Sequence, residues 1–168
     1  MKALALVPVM LLLMSAPRAA GQGQDAGAVD LERLTADFGR TASGFGVRFV
    51  IVHLNDLTTD ALFDAPLKYS LRAQARNATM FYVEGAANDD IELSTDFRVQ
   101  QGAEELEART VDIANFAPGA RLSAGDDIRG IIVGATHFDP RRPIHVYYGA
   151  LRVTFEFSPS VLAQIAGN

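Results

Sequence analysis

Residues 125–157 read GDDIRGIIVGATHFDPRRPIHVYYGALRVTFEF, and the spacing of apolar groups along this stretch decides the fold class. Leu151, Val153, Phe155 and Phe157 alternate with Arg152, Thr154 and Glu156. Successive side chains of a strand point to opposite faces, so the run predicts a strand with one face in a core and one in water. Ile144, Val146 and Tyr148 also alternate, but on even numbers. The phase slips at Gly149-Ala150, which predicts one long strand with a β-bulge there; a tight bend at Gly149 gives the same slip. Upstream, Ile128 and Ile131-Ile132-Val133 form a short apolar run that suits a strand buried on both faces. Pro140 and Pro143 around Arg141-Arg142 predict a solvated loop, because proline cannot donate to a ladder. The two runs are expected to pair as a hairpin across that loop.

Working outward, Val47 to Leu54 (VRFVIVHL) is apolar on both parities apart from Arg48 and His53, and rich in β-branched residues, which predicts a central strand. Leu67, Tyr69, Leu71, Ala73 and Ala75 alternate with polar residues and read as a half-exposed strand, turning at Arg76-Asn77 into another at Thr79 to Glu84. Ile91, Leu93, Phe97 and Val99 share one phase and read as a single strand ending at Gln101-Gly102. Another is expected from about Glu105 to Ile113, with a second bulge between Ala108 and Val111. Leu31, Leu34 and Phe38 recur at helical spacing behind a candidate N-cap at Asp30, and Thr41 to Gly44 reads as a linker. Ser158-Pro159 predicts a C-terminal helical start, with Val161, Leu162 and Ile165 as its apolar side.

About seven short strands between turn signals predict a mainly β chain: an antiparallel β-sandwich, immunoglobulin-like or jelly-roll-like, with short helical turns at both ends. The layout is similar to exported bacterial sandwich domains of immunoglobulin-like type. The cysteine–tryptophan framework of immunoglobulin domains is absent, since the chain has neither residue.

At 168 residues the chain is long enough for one domain with a sizeable core. Lys2, the apolar Ala3 to Met14, and the small residues through Gly21 have the three parts of a secretory signal peptide. The expected division is a signal peptide over 1–21, a leader with a short helix over 22–44, and a single β domain over 45–168. The apolar core of the signal peptide is shorter than the roughly 20 residues a membrane span needs, so no span is expected after cleavage. Losing residues 1–21 removes Lys2 and Arg18 and no acid, which moves the net charge from -5 to -7. Such an acidic domain repels phosphate backbones, which argues against nucleic acid.

Sites of chemistry are sparse. His53, His137 and His145 lack the short spacing of zinc motifs, and no cysteine completes a set. Asp89-Asp90, Asp126-Asp127 and the Asn55, Asp56, Asp60, Asp64 group fit turn chemistry better than the oxygen cage calcium requires. Asn77-Ala78-Thr79 matches a short glycosylation tripeptide. No G-x-S-x-G or other nucleophile motif occurs, so neither a catalytic residue, a metal ligand nor a cofactor is expected. Tyr147-Tyr148 should send one ring to each face of its strand, and with Arg141 and Arg142 on the adjacent loop these are the candidate binding residues. The expectation is a periplasmic or secreted non-enzymatic domain that binds a protein or a cell-envelope component; the alternative is a small-ligand or calcium-dependent carbohydrate-binding module.

Overall fold

The structure, a computed structural model, describes residues 31–166. The expected signal peptide, the first part of the leader and the Asp30 cap lie outside them. Helix α1 (Leu31–Phe38) runs into β1 (Gly39–Gly44) and β2 (Val47–His53). Two short helices, α2 (Asp56–Leu62) and α3 (Leu67–Ala75), precede β3 (Met80–Ala87). Then come β4 (Ile91–Glu92), β5 (Phe97–Gln101), β6 (Glu104–Glu107), β7 (Arg109–Ala114), β8 (Arg121–Leu122), β9 (Asp127–Val133), β10 (Ile144–Tyr148), β11 (Leu151–Phe155) and α4 (Pro159–Ala166). The fold is mainly β, with eleven strands in antiparallel sheets where about seven were expected.

One sheet has five strands in the order β1-β2-β3-β9-β7, a second has four in the order β11-β10-β5-β6, and β4 pairs with β8. Parity along each strand decides what it buries. Phe49 and Ile51 of β2, Phe81 and Val83 of β3, and Ile132 of β9 share a core with Phe97, Val99, Val146 and Phe155 of the four-stranded sheet. The opposite face of the five-stranded sheet carries Val52, Tyr82, Ile131 and Val133, which pack with Leu34 and Phe38 of α1, Leu71 of α3 and Val161 of α4. Each fully buried apolar side chain contributes roughly 1.5–3 kcal/mol, so the absence of disulfides is offset by two cores instead of one.

The central strand expected from Val47, the both-face burial of Ile131 to Val133, the helix at Leu34 and Phe38 and the inward set Val153 and Phe155 are all present. Several expectations are overturned. Gly149-Ala150 is a two-residue hairpin turn and no bulge: Tyr148 lies opposite Leu151, and Gly149 takes φ +54, the left-handed backbone that tight hairpins assign to glycine. The run at Ile131 does not pair with that at Ile144. β9 lies between β3 and β7, while β10 lies between β11 and β5, so the proline-rich loop carries the chain from one sheet to the other.

Leu67–Ala75 is a helix, since Leu, Lys, Arg, Gln and Ala favour helices and no β-branched residue interrupts them. The apparent alternation came from Leu67, Leu71 and Ala75 four residues apart; only Leu71 is deeply buried, and Tyr69 points outward. Thr41 to Gly44 is strand, paired with β2. The single strand expected from Ile91 to Val99 is broken into β4 and β5, and the slip after Ala108 is a change of sheet between β6 and β7; the irregularity in β7 lies between Asp112 and Ala114.

Candidate functional site

The outer face of the four-stranded sheet is polar, and register sets its rows. Glu105, Gln100, His145 and Thr154 face one another across β6, β5, β10 and β11, and Glu107, Arg98, Tyr147 and Arg152 form the adjacent row. The Tyr147 hydroxyl donates to Gln100 Oε1 at 2.7 Å, and His145 Nδ1 lies 2.9 Å from Thr154 Oγ1. Arg98 sits 5.3 Å over the Tyr147 ring, bonds Glu105 at 2.5 Å and donates to the Gly149 carbonyl. A cation over an aromatic face and a charge-assisted bond together hold that ring in place.

Beside Tyr147 lies a depression of about 480 Å³ lined by Gln100, Gly102, Arg142, Pro143, His145, Tyr147 and Arg152. Arg142 comes from the loop between β9 and β10, which Gln101 pins. Although polar, Gln101 continues the inward parity of Phe97 and Val99 and is buried. Its Nε2 donates to the Asp139 and Arg142 carbonyls at 2.8 and 3.1 Å, and its Oε1 accepts from the Asp139 N–H at 3.0 Å. A buried amide that satisfies three loop groups holds Arg142 at the rim. The guanidinium groups of Arg142 and Arg152 make neither a hydrogen bond nor an ion pair among the described residues.

The four candidate residues divide. Tyr147 and Arg142 meet at the depression. Tyr148 does not belong to a surface: its ring stacks on Phe97 at 4.9 Å and meets Phe49 edge-on, because its parity points into the core. Arg141 does not line the depression and turns back to Asp139, 3.2 Å from Nε. The Arg141 backbone N–H, then its side chain and the more distant Arg142, hold the Asp139 carboxyl below its usual range.

His53 is buried among Phe81, Phe155 and Phe157, with ring centroids 5.1–6.5 Å away. Burial, with a smaller contribution from His137, pushes its imidazole down to about 4. No three His, Cys, Asp or Glu are grouped to hold a metal ion among the described residues. Two of the turn acids accept backbone hydrogen bonds: Asp126 from the Ser123 N–H within its own turn, and Asp90 from the Ala124 N–H of a distant loop. Thr79 of the glycosylation tripeptide is buried and accepts from the Phe138 N–H at 2.7 Å.

Sequence reasoning missed Arg152, Gln100 and Gln101. The signal for Gln101 was a polar residue on core parity. Arg152 could be placed opposite Tyr147 only by reading Gly149-Ala150 as a hairpin. No family model, curated protein or solved structure matches the chain.

Proposed function

We propose that this chain is an exported, non-enzymatic β-sandwich domain, immunoglobulin-like or jelly-roll-like, that binds a protein or cell-envelope component through the outer face of its four-stranded sheet. The sandwich reading draws on the aromatic core that the two sheets share. Export draws on the signal-peptide pattern of residues 1–21 alone. The observation that carries the binding role is the depression at Tyr147, where two arginines whose guanidinium groups make no hydrogen bond or ion pair among the described residues stand beside an aromatic ring on a hydrogen-bonded sheet. A surface pays no cost to leave charges solvated, but pinning one of them by a buried glutamine points to recognition.

The test is to express the full chain in a bacterium, fractionate the cells, and sediment the purified domain with isolated envelopes. The mature protein should begin at Gln22 or Gln24 and leave the cytoplasm, and Tyr147→Ala with Gln100→Ala should abolish sedimentation without lowering the melting temperature. Met1 retained on a cytoplasmic protein overturns export. Sedimentation indifferent to the double variant overturns the binding face.

A further inference from the structure

We propose that the depression at Tyr147 receives the carboxylate of an acidic saccharide, an inference that rests on the binding reading of this face and names its ligand class. Charge comes first. The chain carries a net charge of -5, yet among the described residues no acid lines this depression, and two arginines do. Two acids near it are committed elsewhere, Glu105 to Arg98 and Asp139 to Arg141. Arg142 and Arg152 therefore keep their donors for a ligand, and the planar guanidinium fork matches a carboxylate with two parallel N–H bonds.

The rest of the lining distinguishes the kind of molecule that bears the anion. A protein partner is gripped at its centre by apolar and aromatic anchors, and a lipid needs an apolar channel. Here, among the described residues, the Tyr147 ring and Pro143 offer the apolar surface, and the other lining groups are polar or backbone. His145 bonds Thr154 through Nδ1, which leaves Nε2, and the Tyr147 hydroxyl donates to Gln100 while its lone pairs remain. Hydroxyl partners beside one ring face, with a cation pair at the edge, fit a sugar ring bearing a carboxylate. Gln101 contributes as a positioning residue, because it fixes the loop before any ligand arrives.

Calorimetric titration of the folded domain uses three probes: a short oligogalacturonate, its methyl ester and poly-glutamate. The oligogalacturonate should bind, and Arg142→Ala and Arg152→Ala should each weaken it about tenfold or more, the worth of one charged hydrogen bond. Arg→Lys at either site should recover part of the loss, and esterification should cost about the same tenfold. Gln101→Leu, which leaves every lining group intact, should weaken binding less than either alanine. Thermal melts of each variant separate lost binding from lost fold. Equal affinity for the ester, or binding indifferent to both arginines, overturns the proposal. Tighter, arginine-dependent binding of poly-glutamate replaces it with an acidic peptide. If no probe binds while envelope sedimentation still depends on Tyr147, the saccharide falls and the binding face stands; if sedimentation ignores Tyr147 and Gln100, the face falls too.

Discussion

The two large sheets share one core, yet they are exposed to solvent in opposite ways. The five-stranded sheet packs on both faces, against the other sheet and against the helices, so Phe49 to Val52 of β2 and Ile131 to Val133 of β9 read as continuous apolar runs. The four-stranded sheet is covered on one face, and β10 and β11 alternate strictly. A sheet with a free face has room for recognition without unmaking its core. The candidate site lies on that face, and substitution should separate the two environments.

The largest effect should come from Phe155→Ala. The ring is wholly buried against Phe81 at 4.9 Å, and emptying such a site costs about 3–5 kcal/mol. Denaturant melts read it, and a neutral result would break the parity on which both faces depend. Ile131→Ala probes the helix-covered face of the other sheet and should cost about 2–5 kcal/mol by the same measurement. A loss below ~1 kcal/mol would mean that the helices do not complete a second core.

Acid should reach the inner side of the contrast through His53. Its folded value of about 4 lies below the ordinary 6.5. Between those values the unfolded chain takes up a proton that the folded chain refuses. Stability is therefore full above about pH 6.5 and falls as the pH drops toward 4, by about 3 kcal/mol. His53→Phe should flatten that slope, and an unchanged slope would assign it to other groups. The smallest effect belongs to Thr154→Ala on the outer face, where a half-exposed hydroxyl meets His145; the loss should stay under ~1 kcal/mol. Equal losses for Thr154 and Phe155 would show the outer face to be buried in an interface.

What the sequence made legible follows the same division. Phe49 to Val52 and Ile131 to Val133 put apolar side chains on both faces, and an unbroken apolar run can hardly be read otherwise. Val153 and Phe155 were legible because one face is wet. Sheet membership was not, since phase slips at Gly149 and Ala108 look alike on paper. One is a hairpin turn and the other a crossing between sheets, and only long-range pairing tells them apart. Leu67–Ala75 failed for a local reason, because a four-residue repeat also satisfies a two-residue one. The candidate site inherited these errors: Tyr147 and Arg142 were found from their residue types, whereas Arg152 needed the correct turn.

Ala108 alone separates β6 from β7, so a single ribbon serves both sheets along that border. The opposite border, between β1 and β11, is closed by side chains: Arg40 reaches the Glu156 carbonyl at 3.2 Å, and a methyl group on Gly44 would come within 2.9 Å of Leu151. One border is sewn by covalent chain and the other only fastened. Under mechanical load the layers should part like the covers of a book, with the spine at Ala108 and the opening along Gly44 and Leu151.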